Sequence, residues 1–171
     1  PLQYLMTTTL VANTTNSAKH NKNNHTIHLE QMKHPVKELI WAVRKRYKHN
    51  SLDFTHNNTS IIKSSQLQFN RTVSRTEELS YNITNREIPY IFAKTSLDNG
   101  IHMFSFGLHP RNIEQPSGAC NASALEMCDL VLKINTDNFP FDASEELEFL
   151  YFVVCYNRLI FENGMGGLQY Q

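Results

Sequence analysis

With 171 residues the chain is long enough for one domain around a single core. Its 16 Lys and Arg balance 16 Asp and Glu, so no net field draws it to nucleic acid or to an anionic membrane, and direct genome binding is disfavoured. The longest apolar run, residues 149–156, falls well short of the about 20 residues that a membrane-spanning helix needs, which leaves any membrane relationship indirect.

The chain opens on Pro1 rather than methionine, with no charged n-region or cleavage pattern. No signal peptide is read at the start of this chain, which is expected to be a piece of a longer protein. Residues 2–11 place Tyr4, Leu5, Met6, Leu10 and Val11 among threonines, a mixture that packs on a pleated surface better than on a helix. Residues 12–24 are Asn, Thr, Ser, Lys and His without periodicity and read as a solvated loop on an outer surface. A short strand follows over 26–30, with Ile27 and Leu29 on one face and His28 and Glu30 on the other. Residues 32–35 make a turn. From 36 to 46, Leu39, Trp41 and Val43 share a face and Ile40 and Ala42 oppose them, before a basic end at Arg44, Lys45 and Arg46. In a neutral chain that end reads as a solvated terminus or a subunit salt bridge rather than a phosphate site.

A second polar stretch, 48–65, is interrupted only by Ile61 and Ile62 and reads as a long functional or mobile loop. Residues 66–73 alternate through Leu67, Phe69, Arg71 and Val73. Thr76 is placed to cap one helical turn, with Glu77 and Glu78 near its positive end, and Leu79 and Ile83 to tuck it under the sandwich. The apolar run 88–92 carries Pro89, so it is expected as an edge or packed connection rather than a central strand. Asp98, Asn99 and Gly100 then turn the chain into an aromatic strand. There Phe104, Phe106 and Leu108 face one way and Met103, Ser105 and Gly107 the other. Pro110 ends that strand, and Gln115, Pro116, Ser117 and Gly118 combine a fixed φ with a permissive glycine to turn the chain sharply.

Residues 129–135 put Leu130, Leu132 and Ile134 inward and Val131 and Lys133 outward, while Phe139, Pro140, Phe141 and Asp142 read as a loop. The strand over 147–161 is apolar on both faces from Phe149 to Tyr156. Such a strand is covered on both sides. One face belongs to its own core, and the other needs a loop, a second jelly roll or a neighbouring subunit. Asn163-Gly164 and Gly166-Gly167 permit positive φ, so the chain closes on a hairpin or a bulged strand end. Short strands, turn signals and at most one helical turn describe an all-β, antiparallel β-sandwich, of which the jelly roll is one form.

Chemistry is sparse. Among eight histidines, His25, His28 and Glu30 come nearest to a metal site, yet His25 falls on the opposite strand face, and His102 and His109 lack an evident partner. No serine stands in a G-x-S-x-G elbow and no glycine-rich loop opens a helix. Glu145, Glu146 and Glu148 form a charge run that keeps a strand start soluble. Cys120, Cys128 and Cys155 have no C-x-x-C spacing and read as reduced, mostly buried thiols of a protein assembled in cytosol. N-x-[ST] triplets at Asn13, Asn24, Asn57, Asn70, Asn82 and Asn121 are expected from composition alone. The expectation is a protein that is not an enzyme, with no catalytic residue, cofactor or metal site.

Three segments in chain order carry a family resemblance. The first is His34-Pro35-Val36-Lys37-Glu38-Leu39-Ile40-Trp41, which resembles an H-P-V-K-E-L-x-W segment. The second runs from Phe104 and Phe106 through Gln115-Pro116-Ser117-Gly118 to Asn121 and Ser123, and resembles F-S-F-x-L-x-P followed by Q-P-S-G-x-x-N-x-S. The third, Gly164-Met165-Gly166-Gly167-Leu168, is similar to a final G-hydrophobic-small-G-L signature. All three resemble segments of the major capsid proteins of nucleocytoplasmic large DNA viruses, the double jelly-roll group. Leu2-Gln3-Tyr4-Leu5 further resembles the E-Y-L-I segment near the start of their second jelly roll.

The resemblance implies that residues 1–171 are most of a C-terminal jelly roll lacking its first strand, with the first jelly roll outside this chain. It implies a homotrimer forming a pseudo-hexameric capsomer, and capsomers tiling an icosahedral shell over an internal membrane. Neighbouring capsomers and minor capsid proteins would be its partners, with no direct nucleic acid and only indirect contact with the membrane. The location would be the virion capsid, assembled in the host cytoplasm. The signature residues are then structural rather than catalytic, and the loops 12–24 and 48–65 are candidates for exposed or intersubunit surface. The competing reading is a carbohydrate-binding β-sandwich module using Tyr47, Tyr81 and Tyr90, although no acidic cluster has calcium-loop spacing. A cupin-like metalloenzyme comes third.

Overall fold

A computed structural model of the chain describes residues 2–17, 24–46, 54–56, 59–70, 73–74, 76–95, 100–112, 114–135 and 146–170. In chain order the strands are β1 (Leu2–Ser17), β2 (Asn24–His28), β3 (Pro35–Lys45), β4 (Thr55–His56), β5 (Thr59–Ser60), β6 (Ile62–Phe69) and β7 (Val73–Ser74). They continue with β8 (Leu79–Ser80), β9 (Ile101–Ser105), β10 (Cys120–Asn121), β11 (Cys128–Ile134), β12 (Glu146–Glu162) and β13 (Met165–Leu168). One α-helix, α1 (Ile88–Ala93), follows directly on a π-turn at Ile83–Glu87.

Two antiparallel sheets form the sandwich. The first runs β1-β12-β3, with β9 and β10 both on the far side of β3 and β13 paired to the end of β12. The second runs β2-β11-β6, with β7 and β8 pairing the two ends of β6. Neighbours in space are distant in sequence, as in Greek-key jelly rolls. A jelly roll needs eight strands in two sheets. The rows β1-β12-β3-β9 and β2-β11-β6-β7 supply eight.

Period-2 patterning decides which side chains meet between the sheets. Leu39, Trp41 and Val43 of β3 and Leu147, Phe149, Tyr151 and Val153 of β12 face Ile27, Leu67, Leu130, Leu132 and Ile134 of the second sheet. The inward and outward assignments for β2, β3 and β11 are those the alternation implies.

Elsewhere tertiary pairing overrides composition. The polar stretch expected as a loop from residue 12 stays in β1, because β12 supplies a ladder partner for every residue through Ser17, opposite Glu146. Asn13 Nδ2 also donates to Glu148 Oε1 at 3.3 Å. Ile62 to Ser65, placed in the second loop, begin β6, and Ile62 is buried. The helical turn expected after Thr76 is absent. Thr76 Oγ1 instead accepts from the Leu67 amide at 3.0 Å, and Glu78 accepts from Ser64 Oγ at 2.6 Å and pairs with Lys133. Helix forms later, over residues 81–93, and takes in the segment that Pro89 suggested as an edge or a packed connection rather than a central strand. Proline lacks an amide and its ring crowds the carbonyl four residues back. It is tolerated here because it lies in the first turn of α1, where the preceding π-turn has shifted bonding so that the Ile88 amide donates to Ile83 O. The aromatic strand also ends early, at Ser105, and Leu108 is exposed rather than on the face of Phe104 and Phe106. The loop over 139–142 lies outside the described residues.

Candidate functional site

The start of β3 is where the sequence signatures meet. Pro35 and Val36 pair Asn121 and Cys120 of β10, the Phe106 amide donates to Lys37 O at 2.9 Å, and Ser123 Oγ donates to Lys33 O. Ser117 Oγ accepts from the His109 amide at 2.7 Å. Gly118, at φ +144°, presses so closely on Phe106 that an added Cβ would lie 2.9 Å from its carbonyl oxygen. Phe104 and Phe106 pack edge to face, centroids 5.1 Å apart.

The third signature contributes indirectly. Asn163 (φ 51°) and Gly164 (φ 80°) form the two-residue turn of the β12–β13 hairpin. The chain then returns to β12, where Asn157 accepts from the Tyr170 amide at 3.1 Å and donates to its carbonyl at 2.8 Å. The Tyr170 ring lies 5.5 Å from that of His34. Pro35, Pro116, Gly118 and Tyr170 thereby line one hollow of about 270 Å³. Gly164 to Leu168 themselves remain exposed, and nothing in the structure explains Gly167.

A bulge in β3 organises the second feature. Val154 pairs Glu38 and Cys155 pairs Val36, which leaves Lys37 as the extra residue. Lys37 and Glu38 both line a cavity of about 700 Å³ on the outer face of the first sheet. Ile40, Ile101, Phe152 and Val154 of the sheet supply apolar surface to it, together with Phe54 and Pro110 from outside the strands of that sheet. Glu38 is 1% exposed, and its Oε1 has no hydrogen-bond partner among the described residues, while Arg111 Nη1 stands 3.9 Å from Oε2. Burial pushes the Glu38 carboxyl above the ordinary carboxylate range, and Arg111 and Lys37 draw it part of the way back. Lys37 Nζ lies 5.6 Å from the centroid of the Tyr156 ring.

The histidines divide differently from expectation. His102 is fully buried, stacked on Trp41, and bonded to Ser60 Oγ at 3.1 Å and to Thr84 Oγ1 at 2.8 Å. Burial lowers its pKa to about 3, so it is neutral. Its partners come from β5 and the π-turn, a convergence with no sequence signal, although its strand phase with Phe104 marks it as inward-facing. His28 Nδ1 is 2.7 Å from Asp129. Among the described residues no three His, Cys, Asp or Glu gather as metal ligands. Burial raises the Cys128 and Cys155 thiols to about 12 and about 11, and none of the three cysteines is in a disulfide. Arg44 meets Glu148 at 2.7 Å and Arg46 meets Glu146, so these two arginines and glutamates of the basic strand end and the acidic run join within the chain. Tyr81 and Tyr90 sit in the helical segment rather than on a sheet face, and Tyr47 lies outside the described residues.

Comparison with known proteins gives this arrangement a family. The family profile for the large eukaryotic DNA virus major capsid protein matches residues 1–167. The chain belongs to that family. The major capsid protein of Pyramimonas orientalis virus is 31% identical over 160 residues, which cover 80% of this chain and 37% of that one. The chain thus spans well under half the length of this capsid relative. The quasi-atomic model of the PBCV-1 virus capsid superposes with a TM-score of 0.81 at 20% identity, over 99% of this chain and 52% of that chain. The Faustovirus major capsid protein gives 0.75 at 14% identity, over 94% and 34% respectively. At such identities the likeness establishes the fold. These capsid relatives are structural proteins, not enzymes.

Proposed function

We propose that this chain is the C-terminal jelly roll of a double jelly-roll major capsid protein, and that the whole protein trimerises into pseudo-hexameric capsomers of an icosahedral virion. The observation that carries the reading is the outer face of the first sheet. Ile40, Ile101, Phe152 and Val154 leave it apolar and hollowed where a free-standing sandwich would present a polar face. A second jelly roll or a neighbouring subunit covers that face, so the domain works mechanically, as one wall of a larger assembly. Minor capsid proteins and adjacent capsomers touch its loops, and the shell assembles in the host cytoplasm.

The test is the mass of the full-length protein by light scattering, with particle imaging alongside. A stable trimer that packs into hexagonal arrays is the expected result. A monodisperse monomer overturns the reading.

A further inference from the structure

The two ends of the first sheet are treated differently. At β9 the helical segment closes the edge, and Asn85 Nδ2 donates to the Ile101 carbonyl at 2.6 Å. At the other end stands β1, a strand of 16 residues that pairs β12 alone among the described residues. Edge strands are ordinarily protected by charge, proline, a bulge or shortness. From Leu2 to Ser17 there is no charged residue, no proline and no glycine, and the pairing with β12 runs without a register shift. Leu2, Tyr4 and Val11 are 57%, 52% and 60% exposed.

The sequence of this strand is a palindrome in chemical class. Around Thr8 it reads Gln3, three apolar residues, three threonines, three apolar residues and Asn13. We infer that two copies of this chain pair their β1 strands antiparallel about a two-fold axis at Thr8. In that register Thr8 meets its own counterpart, Thr7 meets Thr9, Met6 meets Leu10, Leu5 meets Val11, Tyr4 meets Ala12 and Gln3 meets Asn13. Each pair joins like with like and shares a sheet face, as cross-strand neighbours must. An uncharged strand opposes itself without electrostatic cost, and an isologous contact needs such self-complementarity. The contact makes one continuous sheet across two molecules. Thr7 and Thr9 also line the outer-face cavity of the first sheet, but the two-fold contact is argued from the strand itself and does not rest on the capsomer reading.

Sedimentation velocity of the 171-residue chain over a wide concentration range tests the interface, and a reversible dimer is expected. Thr7→Lys with Thr9→Lys sets like charges opposite one another at both exposed positions and weakens dimerisation by roughly tenfold or more. Thr7→Lys with Thr9→Glu sets opposite charges there and restores it, which separates loss of pairing from loss of folding. Opposed residues of an antiparallel pair have Cα atoms about 4.5–5.5 Å apart, within disulfide reach. With Cys155→Ala as the background, which removes the native thiol opposite Thr8 on β12, Thr8→Cys therefore cross-links two copies on oxidation with diamide, whereas Thr14→Cys, far from the axis, does not. A chain that stays monomeric throughout, or a Thr8→Cys variant that cross-links no better than Thr14→Cys, overturns the proposal. A trimer indifferent to both charge variants overturns it too, while leaving the capsomer reading intact.

Discussion

Glu38 on β3 and His102 on β9, buried on paired strands, pull the pH response of the domain in opposite directions. The folded-state pKa of Glu38 is raised, so its favourable contribution is complete below the ordinary carboxylate value and is lost as pH rises through the folded value. For His102 the folded value is lowered from 6.5 to about 3, so its contribution is complete above about 6.5 and is lost as pH falls toward about 3. Urea unfolding followed across the acid range is expected to show both slopes, with Glu38→Gln flattening the first and His102→Gln the second. His102→Ala also strips Ser60 and Thr84 of a partner and empties the space beside Trp41, at a cost of about 3 kcal/mol. Two signature glycines make a matched comparison. Gly118→Ala forces a side chain against Phe106 O at φ +144° and costs about 1–2 kcal/mol or more. Gly167→Ala meets open space and stays within about 0.5 kcal/mol of the parent by thermal or chemical unfolding.

At the scale of elements, much of the sandwich is legible because burial writes itself into alternation. β11, β3 from Leu39 to Val43 and β12 from Leu147 to Cys155 carry apolar residues at every second position, and those positions, with Ile27 of β2, are in the core. What alternation does not carry is the reach of a partner strand. Asn13 and Thr14 look like loop residues until β12 stands beside them with its own backbone groups to pair. The same holds for residues 81–93, where Pro89 obscures a helix whose register is reset by the π-turn before it. The candidate site divides likewise. Pro35, Gly118 and Glu38 stand in recognisable segments, whereas Arg111, Ser60 and Thr84 acquire their roles only through packing. The helical segment's hold on β9 gives a prediction at this scale. Asn85→Ala frees the Ile101 carbonyl, costs about 1–2 kcal/mol, and speeds hydrogen exchange along β9 more than along β11.

For the whole molecule, the outer face of the first sheet should matter to assembly more than to folding. Phe152 lies on that face, half-buried beside Val154 and Ile40. Phe152→Lys is expected to change the unfolding free energy of this chain by no more than about 1 kcal/mol, while the full-length protein carrying it is expected to fail to form the proposed trimer, with light scattering as the measurement. One feature of the topology also governs how the domain comes into being. β1 finds its ladder on β12, with Leu2 opposite Phe161 and Ser17 opposite Glu146. Vectorial synthesis delivers the first half of that ladder long before the second. The sheet therefore closes only once the ribosome has passed β12, and until then sixteen sticky residues of the newborn chain await their mate. Rapid translation of this stretch, or a chaperone that shelters β1 in the interval, then becomes a condition for producing the protein in quantity.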